Sequence, residues 1–224
     1  MSSVEYRQVS FTPPPGATDI LLVRHGESAP ARPDQPFPLL DGQGDPELAE
    51  TGRVQAERVA QRLADERIDA VYVTPLRRTA QTAAPLLAEL GIEPVVEPDL
   101  REVHLGEWEG GVYRQKLAEG DPLVKQLLAE QRWDVIPGAE DPELLRERVT
   151  KAIGRIAADH PDQRVAVFTH GGIIGEVLAL ASGSRPFSFL SADNGSISQV
   201  VVTGSNWFVR RFNDTAHLAG IPTG

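Results

Sequence analysis

The stretch DILLVRHGES, residues 19–28, decides how this chain folds. Ile20, Leu21, Leu22 and Val23 form an unbroken apolar run, which reads as a strand buried on both faces of a parallel sheet. Arg24 and His25 follow with no turn between them. A charge at the end of a buried strand is costly unless something pairs with it. The question is what meets Arg24 and His25 there.

The rest of the chain supports such a sheet. DAVYVTP (69–75) reads as a second strand, IEPVVEPDL (92–100) as a short third and RVAVFT (164–169) as a fourth. Helices are expected over 52–66, capped by Thr51, and over 76–90, stopped by Gly91. Another is expected over 112–132. Asp141 followed by Pro142 is a start signal for one running to about residue 160, and a last helix covers 172–182. ISQVVVTGSNWFVRRF (197–212) reads as a closing hairpin around Thr203 to Asn206. Strands alternating with helices imply an α/β chain, a three-layer α/β/α sandwich with a mostly parallel central sheet. We read 1–18, with its FTPPPGAT segment, as a flexible lead-in, 19–214 as a single domain and 215–224 as a C-terminal tail.

Composition narrows the function. The 224 residues carry a net charge of −10, which argues against nucleic acid as the main partner. There is no cysteine, hence no disulfide framework and no thiolate chemistry. No apolar run approaches the ~20 residues of a membrane helix. The start, MSSVEYRQVS, lacks a signal-peptide pattern. We expect a soluble cytoplasmic protein with no membrane partner.

The chemistry gathers at strand ends. VRHG closes one strand and FTHGG another, and ligands of parallel sheets collect beyond the carboxyl ends of strands. His25 and His170 are therefore expected in one crevice. The second strand ends at Thr74-Pro75, and the helix after it opens with Arg77-Arg78, where free N–H groups and a positive dipole end favour anions. Glu102 follows the third strand. Arginine forks match phosphate oxygens, neutral histidine is a nucleophile near pH 7, and a carboxyl group can shuttle the proton. The set suits phosphoryl transfer through a covalent histidine intermediate. It does not suit metal hydrolysis, since no HxxxH pair or carboxylate cluster stands at ligand spacing.

In this order, RHGE (24–27), TPLRRTAQTA (74–83), LREVHLGEWEG (100–110) and THGG (169–172) resemble the histidine phosphatase superfamily, the phosphoglycerate-mutase-like clan, in its branch of RHG-motif phosphatases. The resemblance spans about residues 20–202. It implies that His25 is the phosphorylated nucleophile and that Arg24 and Arg78 hold the phosphoryl group. It further implies that His170, with Gly171 beside it, completes the phosphate pocket and that Glu102 is the general acid and base. Ser28 stands where many members have threonine, and it is taken as a further substrate contact. No metal or organic cofactor is implied, and the partner is a small-molecule phosphomonoester. Thr74, Thr79 and Ala31 depart from the commoner Ser, Ala and Asn of the family's patterns. The Pro-rich loop 29–44 is expected to shape the pocket mouth.

Two rival functions stay open at this level, a 2,3-bisphosphoglycerate-dependent mutase and a non-enzymatic phospho-ligand binder. Other residues read more plainly. Arg77 is taken as a surface residue, His160 as a solvated loop residue, and His217 as part of the tail. Trp108 is taken as a core or hinge anchor, and the run LLRERVTKAIGR (144–155) as a solvated helix face. His104 either lines the pocket or packs. The strands over 197–211 are a candidate homodimer edge.

Overall fold

The computed structural model describes residues 5–221. Its first strand, β1 (Thr18–Arg24), is the apolar run with one residue added at the end and two at the start. The short pair β2 (Leu39–Leu40) and β3 (Gln43–Gly44) lies in the Pro-rich loop. Then follow α1 (Glu50–Leu63), β4 (Ala70–Val73), α2 (Arg77–Leu90) and β5 (Val95–Val96). Next come α3 (Val112–Glu119), α4 (Pro122–Glu130) and α5 (Pro142–Asp159). The chain closes with β6 (Arg164–Thr169), α6 (Gly171–Ser182), β7 (Ile197–Thr203) and β8 (Asn206–Asp214).

Six strands form one sheet in the order β5-β4-β6-β1-β7-β8. The first four run parallel, and the β7–β8 hairpin adds an antiparallel flank. Alternate side chains of β1 serve opposite faces, as a strand's period of two requires. Ile20 and Leu22 pack with Val149, Ile153 and Ile156 of α5 and Ile173 and Val177 of α6. Leu21 and Val23 pack with Val59 and Leu63 of α1 and Ala83 and Leu86 of α2. Helices cover both faces, giving the three expected layers.

Several local expectations are corrected. Thr51 does not cap α1; the helix starts at Glu50 with Ala49 in the cap position and no side-chain cap. The loop beyond His25 sets this start instead. The Ala49 N–H donates to the Glu27 carbonyl at 2.9 Å, and a Cβ on Gly52 would stand 2.0 Å from that same oxygen. The helix expected over 112–132 is two helices. Gly120 ends α3 in the left-handed conformation, and Asp121, accepting from the Leu123 N–H at 2.9 Å, caps α4 with Pro122 in its first turn. The third strand shrinks to Val95–Val96, both exposed at the sheet edge. His160 is not simply solvated, because its ring nitrogens lie 2.9 Å from Tyr72 Oη and 2.6 Å from Gln163 Oε1.

Residues 215–221 lie against the body of the protein. Leu218 is buried and packs near Gly195, and His217 Nε2 lies 2.9 Å from the Gly195 carbonyl. At the other end, Phe11 of the lead-in lies 6.3 Å from the ring of Phe208 and under the Arg210 guanidinium, on edge strand β8. Among the described residues no helix is long and apolar enough to cross a membrane.

Candidate active site

Strand register brings the histidines together. β1 and β6 are parallel neighbours with Arg24 opposite Thr169, so the next residue of each strand is a histidine at the same carboxyl edge. The His25 N–H donates to the Thr169 carbonyl at 3.0 Å, and the rings meet edge to face with centroids 5.2 Å apart. β4 flanks β6 on its other side and delivers Thr74, whose Oγ1 lies 3.0 Å from His170 Nε2. Thr79 Oγ1 lies 3.0 Å from Thr74 Oγ1, so the two departures from the common pattern touch each other.

His25 Nδ1 lies 2.7 Å from the Gly26 carbonyl. A carbonyl only accepts, so Nδ1 carries the proton and the lone pair falls on Nε2. Burial, then the guanidiniums of Arg78 and Arg24, hold His25 well below the usual 6.5. His170 is held down by burial first, then by Arg78, His25 and Arg24. Both rings are thus neutral at physiological pH. Gly26 and Gly52 make the close crossing behind His25, since a Cβ on Gly26 would stand 2.4 Å from the Gly52 carbonyl oxygen.

Two cations face these rings. Arg24 Nη1 donates to the Ala192 carbonyl, while its buried Nε has no partner among the described residues. Arg78, in the first turn of α2, donates to the Gly44 carbonyl at 2.9 Å. Burial lowers both, Arg78 to about 10, so both stay charged at neutral pH. Arg77 is half exposed but not idle. Asp45 accepts from its backbone N–H and from its Nε, each at 2.8 Å, which caps α2 from the Pro-rich loop.

Glu102 lies on irregular chain between two short turns, Pro98–Leu100 and Gly106–Trp108. Its Oε1 accepts from the Val103 N–H at 3.1 Å and its Oε2 from the Gly172 N–H at 3.4 Å, in the first turn of α6. Gly171, in the same turn, stands beside Arg24; a Cβ there would lie 3.4 Å from Arg24 Nε, an ordinary contact.

Arg24, His25, Arg78 and Glu102 line one cavity of about 330 Å³. His170 is fully buried behind His25 and does not reach the wall. Ser28 does not line the cavity either. It faces an adjoining groove of about 1110 Å³ that shares Arg24 and Arg114 but holds neither His25 nor Glu102. Ser28 Oγ accepts from Arg114 Nη2 at 2.7 Å. His104 is off the wall as well, with Nδ1 accepting from the Gly106 N–H at 3.1 Å. Trp108 is buried and its ring lies 6.2 Å from Tyr113.

Sequence reasoning missed three residues of the wall and its surroundings. Arg114 of α3 lies over the Phe37 ring, and both line the cavity. Gln43 in β3 donates to the Glu102 carbonyl at 2.7 Å. Asn194 donates to the His25 carbonyl at 2.9 Å. Nothing in their local sequence marks them, since each is brought in by tertiary packing.

A neutral histidine that shares its cavity wall with two guanidiniums and a carboxyl group is a set suited to phosphoryl transfer. The chain belongs to the histidine phosphatase superfamily (branch 1), whose pattern it matches over residues 20–215. It is 35% identical over 205 residues to phosphoglycerate mutase-like protein 4 of Arabidopsis thaliana, covering 89% of this chain and 86% of that one. It is 32% identical to a metal-independent phosphoserine phosphatase of the same plant, covering 91% and 84%. In structure it resembles a mycobacterial glucosyl-3-phosphoglycerate phosphatase, with a TM-score of 0.71, 25% identity and coverage of 89% and 100%.

Proposed function

We propose that this chain is a phosphomonoester phosphatase working through a phosphohistidine on His25. The observation that carries the reading is a neutral His25 on the cavity wall, with Arg24, Arg78 and Glu102 beside it. His25 Nε2 attacks phosphorus with its lone pair, and the bond from phosphorus to the ester oxygen breaks. Protonated Glu102 gives its proton to the departing alkoxide. The carboxylate then takes a proton from water, whose oxygen attacks phosphorus. The N–P bond breaks, and inorganic phosphate leaves with His25 neutral and Glu102 protonated again. Arg24 and Arg78 stabilise the equatorial oxygens through charge-assisted hydrogen bonds, and His170 supports the His25 ring from behind. The arginines supply the positive charge, so the proposal calls for no metal or organic cofactor. Ser28 contributes through Arg114 at the mouth.

The substrate is a small phosphomonoester, and the protein works in the cytoplasm. The relatives' names make phosphoserine the first ester to try, followed by 3-phosphoglycerate and glucosyl-3-phosphoglycerate. The test is hydrolysis of a panel of phosphomonoesters, with EDTA present, by the wild type and by His25→Ala. Expected is metal-independent release of phosphate that the variant lacks, with acid-labile label trapped on His25. Turnover of 3-phosphoglycerate only with 2,3-bisphosphoglycerate would favour a mutase. Phosphate binding with no turnover of any ester would leave a binding protein.

A further inference from the structure

The charged run 144–155 of α5 does not all face solvent. Arg148 points under the loop that carries Glu102, and its side chain is only 17% exposed. Its Nη1 donates to the carbonyls of Asp99 at 2.6 Å and Arg101 at 2.9 Å. Its Nη2 donates to the Glu102 carbonyl at 3.1 Å and to Glu140 Oε2 at 2.8 Å. Its Nε donates to Glu140 Oε1 at 2.6 Å. A guanidinium has five N–H donors, and these five bonds employ them all. Glu140, 15% exposed, also accepts from the His104 N–H at 3.2 Å.

This one ion pair therefore holds the backbone on both sides of Glu102. Between Pro98–Leu100 and the Leu105–Ala139 bridge the chain belongs to no helix or strand, so the carbonyls of Arg101 and Glu102 have no ladder partners and take donors from side chains. α5 does not need Arg148 to dock, because Leu145, Val149, Ala152, Ile153 and Ile156 already bury its apolar row. Arg148 and Glu140 do not line the cavity. We propose that Arg148, paired with Glu140, is a positioning residue that sets where the Glu102 carboxyl group stands for proton transfer. The inference rests on the reading of Glu102 as general acid given above.

The test compares two esters. kcat/KM reports the steps up to departure of the alcohol. Glycerol 2-phosphate has a poor leaving group that needs the proton, whereas p-nitrophenolate leaves without it. Arg148→Lys keeps the charge but replaces the planar fork with a point donor that cannot span three carbonyls. Its kcat/KM on glycerol 2-phosphate is expected to fall roughly tenfold or more, a share of the ~10²–10⁴ a general acid contributes. On p-nitrophenyl phosphate it should change by less than about threefold, since that ester forgoes the general acid's contribution. Affinity for inorganic phosphate, read by fluorescence of Trp108 and Trp133, which line the cavity, should hold. Glu140→Gln leaves the carbonyl bonds in place and should show the same pattern more weakly. If Arg148→Lys does not fold, Glu140→Gln carries the comparison. An active wild type whose variants treat both esters alike, or lose only KM, overturns this inference alone. A wild type that hydrolyses neither ester overturns the phosphatase reading and the inference with it.

Discussion

His25 and His170 stand edge to face with ring centroids 5.2 Å apart, each the first residue beyond one of two adjacent parallel strands. Their closeness follows from register rather than from any loop. Each ring is also buried beside the guanidiniums of Arg24 and Arg78, so protonating one would set a third positive charge among the others. The site is built to keep both imidazoles neutral until an anion arrives.

That arrangement has a direct spectroscopic consequence. An ordinary histidine is half protonated near pH 6.5. Here the ring nitrogens of His25 and His170 should hold their neutral shifts through that pH in nitrogen-15 NMR, and titrate only well below it. Bound phosphate offsets the arginine charges and should move the His25 titration upward. A half-way shift near pH 6.5 in the free protein would contradict the buried, cation-flanked environment.

Stability should follow the same groups. In the unfolded chain both histidines bind protons as pH falls through about 6.5, while in the folded chain they do not until well below that. The unfolded state thus binds more protons across this window, and stability rises with pH. The contribution is complete above the unfolded value and is lost as pH falls towards the folded one. The Tm should therefore drop on acidification below about 6.5, the unfolded histidine value. His170→Gln should show a shallower drop, whereas an identical slope in that variant would remove His170 from the account.

The parts legible in sequence were those that a strand pattern announces. Val23 to Gly26 and Phe168 to Gly171 each end an apolar run in His-Gly, and the parallel sheet does the rest. Arg148 was not legible, because it sits in a charged helical run and its partners are Glu140 and three carbonyls of a loop far back in the chain. Periodicity reports which residues are apolar, not which carbonyls lack donors. The break between α3 and α4 was legible and was missed. Asp121-Pro122 is the same start signal as Asp141-Pro142, preceded by Gly120 as a stop. The start of α1 was not, since backbone contact between Gly52 and Glu27 outweighs a candidate side-chain cap.

Thr74→Val tests the support behind the histidines. Thr74 Oγ1 is the partner of His170 Nε2, and both residues are buried. Valine keeps the shape and removes the hydroxyl, leaving a buried ring nitrogen unpaired at a cost of about 1–3 kcal/mol. Thermal unfolding should register that loss, and the inhibition constant for inorganic phosphate should rise as His170 loses its anchor. Thr74→Ser restores the hydroxyl and should behave like the wild type on both measures.

Gly172→Ala sets local propensity against the site. Alanine in place of glycine within a helix normally stabilises it by about 0.8–1 kcal/mol. At this position the new Cβ would stand 2.6 Å from Glu102 Oε1 and 2.8 Å from Val103 Cγ2. The Glu102 carboxyl group must move, and its bond from the Gly172 N–H, already 3.4 Å, is lost with it. Displacement of a reacting group by ~1 Å can cost ~10²-fold in rate. The variant should fold without gaining Tm and should lose kcat on alkyl phosphates far more than on p-nitrophenyl phosphate. Gly171→Ala, whose Cβ would meet Arg24 Nε at an ordinary contact distance of 3.4 Å, should leave kcat and KM near the wild type. A Gly172→Ala enzyme as active as the wild type on alkyl esters would mean that Glu102 does not donate the proton from this position.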